Sequence, residues 1–147
     1  MGARLNILFL CTGNSCRSQM AEGWARYLKP EQLVAKSAGI EKHGLNPLAV
    51  KAMAEAGVDI STYQSKTLNE LTDLEFDYVV TVCGHANETC PAFAGNTKTV
   101  YVGFDDPPKL AENAASEAEA MAHYRRVSDE IRAFVEKLPD LLMERGK

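Results

Sequence analysis

The four cysteines of this chain include no C-x2-C pair, no apolar run is long enough to span a bilayer, and basic residues are not in surplus. Each shortage removes a class of function. Cys11, Cys16, Cys83 and Cys90 lack the paired spacing of a structural zinc site. A 147-residue chain without an export signal does not need the disulfide framework of a small secreted domain. The first apolar stretch, Leu5 to Cys11, contains Asn6 and runs at once into Thr12-Gly13-Asn14, too short and wrongly flanked for a signal peptide or a membrane span. Position six lacks the Ser or Thr of a myristoylation signal, and Arg145-Gly146-Lys147 is no prenylation box. With 16 Lys and Arg against 20 Asp and Glu, the formal net charge of -4 argues against nucleic acid or an anionic membrane as the main partner. A cytoplasmic monomer with catalytic or redox cysteines is expected.

What is present fits one globular domain over residues 1–147, at 46% hydrophobic and 24% charged residues, with no repeat or linker. Leu5 to Leu10 has the continuous apolar character of a buried parallel strand. Met20, Ala21, Trp24, Ala25 and Leu28 then recur at helical spacing until Pro30. Leu33 to Ser37 is a second short strand, and Pro47 to Ala56 a helix with Asn46 as N-cap and Gly57 at its end. Thr67 to Leu71 is a weak helix, the β-branched run Tyr78 to Val82 a central strand, and Lys98 to Val102 a fourth strand. Asp105 to Pro108 forms a loop, and a long amphipathic helix from Ser116 to Leu138 stops at Pro139. Strands alternating with helices predict an α/β fold, a four-stranded parallel sheet flanked by helices on both faces, with ligands bound beyond the carboxyl ends of the strands.

Cys11-Thr12-Gly13-Asn14-Ser15-Cys16-Arg17-Ser18 is a C-x5-R-S loop between a strand and a helix. It sets backbone N–H groups at a helix N-terminus, an oxyanion cradle. Those dipoles and the Arg17 guanidinium favour thiolate over thiol at Cys11, making it the candidate nucleophile. Arg17 presents a planar fork that matches two oxygens of a tetrahedral anion. Ser18 can hydrogen-bond the sulfur and help it leave. Thr12, Gly13, Asn14, Ser15 and Cys16 supply the remaining cradle, Cys16 as a small packed residue without a redox role. The bland alternative, a capped turn with an incidental Cys and Arg, does not account for the motif falling between strand and helix.

Asp106, held by Pro107-Pro108 beyond the fourth strand, is the candidate general acid, with Asp105 beside it not excluded by chemistry. Cys83 ends the third strand and Cys90 follows seven residues on. If that strand lies beside the first, Cys83 can come within thiol-exchange reach of Cys11, and Cys90 can attack Cys83 if the segment loops back. Two packed, inert cysteines are the alternative. His43, His85 and His123 lack metal-ligand spacing, Glu117 to Glu119 reads as a solvated helix face, and Trp24 with Met20 as core.

At these residues the chain resembles thioredoxin-coupled arsenate reductases built on the low-molecular-weight protein tyrosine phosphatase fold. The resemblance rests on CTGNSCRSQMAEGW (Cys11 to Trp24), Ser37-Ala38-Gly39-Ile40, Val80-Thr81-Val82-Cys83, Cys90-Pro91 and Gly103-Phe104-Asp105-Asp106-Pro107, while the C-terminal helix fits in position only. It implies that Cys11 attacks arsenate in the cradle, that Arg17 and the loop amides hold the oxygens, and that Asp106 protonates the departing hydroxyl. It further implies that Cys83 attacks Cys11 as arsenite leaves, that Cys90 displaces Cys11, and that thioredoxin reduces the Cys83 to Cys90 pair. Asn14 would brace the loop.

Two departures follow. Potassium-binding members resemble the chain at Asn14, Glu22 and Ser37 but carry an acidic residue at the position of Lys66, whose ammonium is expected to take the ion's electrostatic role and makes a potassium ion doubtful. No tightly bound cofactor or metal is expected. The phosphatase branch usually carries an aromatic residue after Asp-Pro, where this chain has Pro108-Lys109, which disfavours phosphotyrosine. The rival functions are a phosphomonoester hydrolase, which has no use for Cys83 or Cys90, and a noncatalytic oxyanion or redox sensor.

Overall fold

The computed structural model describes residues 4–71, 75–84 and 97–145. In chain order they form β1 (Leu5–Cys11), α1 (Arg17–Leu28), β2 (Leu33–Gly39), α2 (Pro47–Glu55), a 3-10 turn at Leu68–Leu71, β3 (Tyr78–Thr81), β4 (Lys98–Tyr101), α3 (Pro107–Leu110), a 3-10 turn at Ala111–Asn113, α4 (Glu117–Glu136) and α5 (Asp140–Arg145). The strands make one sheet in the order β2-β1-β3-β4, every pairing parallel.

Side chains alternate between the two faces of a strand, yet Ile7, Leu8, Phe9 and Leu10 are all fully buried, and so are Val79 and Val80. Both faces of the sheet are therefore covered at β1 and β3, which is why these strands read as unbroken apolar runs. Along β4 only Val100 is buried, the pattern of a strand with one face open. On α2, the Asn46 side chain accepts from the Leu48 and Ala49 N–H groups, and Pro47 occupies a position whose missing donor costs nothing. Gly57 follows with φ +90°, a left-handed conformation suited to glycine. Ser116 caps α4, whose buried stripe packs on α1, where Trp24 Nε1 donates to Ser128 Oγ at 3.1 Å.

Two elements depart from expectation. The expected loop at Asp105 to Pro108 becomes helical from Pro107, because proline at the first helical position needs no intrahelical N–H bond. The chain also resumes as α5 after Pro139, where Leu142 is fully buried and anchors it to the core. Other ends shift by one or two residues, ordinary for helix and strand termini. No helix among the described residues is long and apolar enough to cross a membrane.

The topology fixes where a ligand can sit. β1 connects to β2 on one side, and the chain then returns to β3 on the other, so the connections part at the carboxyl end of β1. Cys11 is the last residue of that strand.

Candidate active site

Between Cys11 and Arg17 the chain turns with its carbonyl groups outward. Ile40, Glu41, His43 and Asn46 donate their N–H groups to the carbonyls of Cys11, Thr12, Gly13 and Ser15 at 3.1, 2.9, 2.9 and 2.9 Å. Gln19 Nε2 donates to the Asn14 carbonyl at 3.1 Å, and the Met20 N–H to that of Cys16 at 2.9 Å. A trans peptide points its N–H opposite to its C=O, so outward carbonyls leave inward amides. Among the described residues, none of the N–H groups of Gly13, Asn14, Ser15 or Cys16 finds a protein acceptor. The loop is thus a ring of unspent donors at the positive end of α1, suited to an oxyanion. Two glycines permit the close approach: a Cβ on Gly39 would lie 2.8 Å from both the Asn14 nitrogen and the Thr12 carbonyl oxygen, and one on Gly13 would collide with the His43 ring.

Asn14 adopts φ 50°, a left-handed conformation that Asn tolerates better than most residues. Its Oδ1 accepts from the Lys66 backbone N–H at 2.9 Å, which forces Nδ2 toward Ser18 Oγ at 2.8 Å. Ser18 is then left with its own proton to give Cys11 Sγ, 2.9 Å away. Gln19 Nε2 also reaches the Gln64 carbonyl at 3.1 Å, so its Oε1 faces Ser37 Oγ. That hydroxyl donates to buried Glu22 Oε1 at 2.7 Å. Glu22 is paired with two cations: Arg26 Nε lies 3.0 Å from Oε2, and Lys66 Nζ 3.8 Å from Oε1. Burial lowers the Lys66 pKa, with Glu22 opposing that shift.

This set of oxygens does not fit a resident potassium ion. Glu22 is already neutralised on both oxygens, and Asn14 Oδ1 already accepts from the Lys66 N–H and Gln19 Nε2. The described residues contain no cluster of three or more His, Cys, Asp or Glu side chains that could hold a metal.

Arg17 bridges the loop to the acid segment. Its Nη1 donates to the Phe104 carbonyl at 2.9 Å and its Nη2 lies 3.7 Å from Asp106 Oδ1, leaving other N–H groups of the fork for a ligand. Asp106 stands at the N-cap of α3 but spends no side-chain bond on capping. Asp105 turns the other way, paired with Arg126 of α4 at 2.9 Å. Of the two carboxylates, Asp106 is the one that faces Arg17.

Cys83 follows β3, and β3 lies directly beside β1. The Cys83 sulfur is 3.2 Å from Thr12 Oγ1, on the rim of the loop. Cys11, Cys16 and Cys83 are all buried. Burial pushes the Cys16 thiol far up, nearby Asp106 and Cys11 add to this, and Arg17 opposes it, so Cys16 is a packed neutral thiol, as expected. Cys90 and His85 lie outside the described residues. Trp24 and Met20 are core residues, and His43 packs on the loop with Nε2 at 2.8 Å from Glu41. Sequence reasoning placed none of Gln19, Tyr124 and Arg126 at the site, and it read Asn46 only as the N-cap of α2. A polar Gln19 on the inward face of α1 was the one signal that pointed to any of them.

A thiol ends a central parallel strand inside a loop of inward amides, with an arginine in the first helical turn, an arrangement chemically suited to holding an oxyanion against a sulfur nucleophile. The chain belongs to the low molecular weight phosphotyrosine protein phosphatase family, whose model matches residues 6–145. It is 54% identical over 125 residues to an arsenate reductase of Halalkalibacterium halodurans, covering 85% of this chain and 88% of that one. It is 50% identical over 125 residues to an arsenate reductase of Bacillus subtilis, with the same coverage of 85% and 88%. A thioredoxin-dependent arsenate reductase of Corynebacterium glutamicum shares the fold, with a TM-score of 0.70 at 21% identity over 98% of this chain and 64% of that chain.

Proposed function

We propose that the protein reduces arsenate to arsenite through Cys11 and a Cys11 to Cys83 to Cys90 disulfide relay recycled by thioredoxin. The observation that carries this reading is the second thiol: Cys83 sits against Thr12 at 3.2 Å, beside the nucleophile's loop, where a hydrolase needs none. The arsenate reductases at half identity support the substrate.

In this scheme the Cys11 thiolate attacks arsenic, an S–As bond forms, and a hydroxyl leaves as water with the proton of Asp106. Loop amides and Arg17 hold the other oxygens. The Cys83 thiolate then attacks Cys11 Sγ. An S–S bond forms, the S–As bond breaks, and its electron pair stays on arsenic, which departs as arsenite. The Cys90 thiolate next attacks Cys83 and releases the Cys11 thiolate, and the thioredoxin dithiol reduces the Cys83 to Cys90 disulfide. Ser18, donating to Cys11 Sγ at 2.9 Å, stabilises the thiolate whenever it leaves.

The family match favours a second activity in the same cradle, hydrolysis of phosphomonoesters, because phosphate and arsenate share shape and charge. Weak hydrolysis of a small aryl phosphate is expected. The deciding experiment is NADPH oxidation with thioredoxin, thioredoxin reductase and arsenate, with arsenite measured in parallel. Sustained oxidation matched by arsenite supports reduction. No arsenite, with steady aryl phosphate hydrolysis, would move the function to phosphatase, and silence in both would leave an oxyanion or redox sensor.

Lys66 gives a separate prediction. Because its ammonium and Arg26 already neutralise Glu22, arsenate turnover and thermal stability should be the same in potassium and in sodium at equal ionic strength. Lys66→Ala removes one partner of a largely buried carboxylate, and, discounted for its partial exposure and for Arg26, should cost about 1–2 kcal/mol in urea unfolding. A wild-type protein that loses activity on replacing potassium by sodium would overturn the ammonium's role.

A further inference from the structure

The proposed mechanism leaves unused a polar pair behind the anion loop, half-buried Asn46 and buried Tyr124. Asn46 spends every polar atom. Its N–H donates to the Ser15 carbonyl at 2.9 Å, and its Oδ1 accepts from the Leu48 and Ala49 N–H groups at 2.8 and 3.2 Å. Those two backbone donors fix which end of the amide is oxygen, so Nδ2 must face outward from α2. It donates to the Tyr124 hydroxyl at 3.0 Å, across 78 residues of chain. Tyr124 is 3% exposed, and its ring is locked in the buried stripe of α4. Burial raises its pKa, nearby Cys16 and Asp106 raise it further, and the Asn46 bond lowers it, so the hydroxyl remains a neutral acceptor on the Cys16 and Asp106 side of the site.

We propose that Tyr124 is a positioning residue of the anion loop, acting through Asn46. The Ser15 carbonyl and the Cys16 N–H belong to one planar trans peptide and point in opposite directions. Holding the carbonyl outward on Asn46 aims the Cys16 N–H into the cradle. Tyr124 anchors Asn46 from a second element, so the orientation of that donor is set by the packing of α4 as well as by the loop itself. The inference rests on the cradle binding a tetrahedral oxyanion. It does not require that the anion be reduced.

The test is calorimetric binding of inorganic phosphate to the reduced protein, with arsenate kinetics alongside. Tyr124→Phe keeps the ring and removes the acceptor. Asn46→Ser keeps a good N-cap and the backbone donor but cannot reach α4. Each should weaken phosphate binding and raise the arsenate KM by roughly threefold to tenfold, the worth of one neutral hydrogen bond, with kcat unchanged. The double variant should be no worse than either single one, because both cut the same link. Phosphate affinity unchanged in Tyr124→Phe, even with a lowered Tm, would reduce Tyr124 to a packing residue and overturn the proposal. Losses that multiply in the double variant would overturn the shared link. A wild-type protein that binds no phosphate would sink the cradle and this inference together, whereas phosphate binding with the expected losses but no arsenite would overturn only arsenate reduction.

Discussion

Cys90→Ala should yield a single arsenite per chain and then stop, and Cys83→Ala should yield no catalytic arsenite formation, while both hydrolyse a small aryl phosphate near the wild-type rate. The two variants separate steps that share one cradle. Hydrolysis needs the Cys11 thiolate, the inward amides and an acid, and neither substitution removes any of these groups. Reduction needs an electron pair delivered to arsenic, which requires a second sulfur to attack Cys11. Cys83 is suited to this because β3 pairs with β1 with Leu10 opposite Thr81, so the chain beyond each strand emerges on the same side of the sheet. The bond between Thr12 Oγ1 and Cys83 Sγ joins those two emerging segments. Without Cys90, the remaining thiol is Cys16, which is buried and held protonated, so the Cys11 to Cys83 disulfide is left unresolved. Rapid-quench counting of arsenite, with mass spectrometry of the trapped disulfide, reads both outcomes. Sustained wild-type turnover by Cys90→Ala would sink the relay.

The cradle was legible in the sequence because its parts are contiguous. An apolar run, a Thr-Gly-Asn break and a helical repeat fix the order strand, loop, helix, and C-x5-R-S falls at the junction. Placing Cys83 was conditional, since no local pattern says which strand neighbours which; the order β2-β1-β3-β4 supplies the condition. The supports of the loop were not legible for a related reason. Asn46 meets Tyr124 across 78 residues, and the Lys66 N–H meets Asn14 Oδ1 across 52. Such contacts arise from tertiary packing and leave no periodic signal. The segment at Pro107 was read as loop although proline equally begins a helix when its missing N–H falls in the first turn, whereas Pro139 does lie beyond the end of the long helix, as read, and the short helix after it was not foreseen. The strand and helix ends were recovered to within a residue or two, the helix caps because capping chemistry is local.

Asp106→Asn should lower the rate with a poor leaving group by about 10²–10⁴-fold, the usual contribution of a general acid. The loss should be much smaller for an aryl phosphate whose leaving group is already a stable anion. Hydroxide leaving from arsenate is the poor case, so arsenate turnover is the sensitive assay. Asp105→Asn supplies the control. Asp105 spends its charge on Arg126 at 2.9 Å, an exposed pair, and such pairs contribute roughly 0.2–1 kcal/mol. Its loss should loosen the acid segment slightly and change the rate by a few-fold at most, because the Phe104 carbonyl remains held by Arg17 and the Phe104 ring still packs on Phe134 at 6.0 Å. A larger defect in Asp105→Asn than in Asp106→Asn would exchange their roles. The geometry opposes that exchange: Arg17 Nη2 lies 3.7 Å from Asp106, so the guanidinium proposed to hold the oxyanion stands beside the proposed acid.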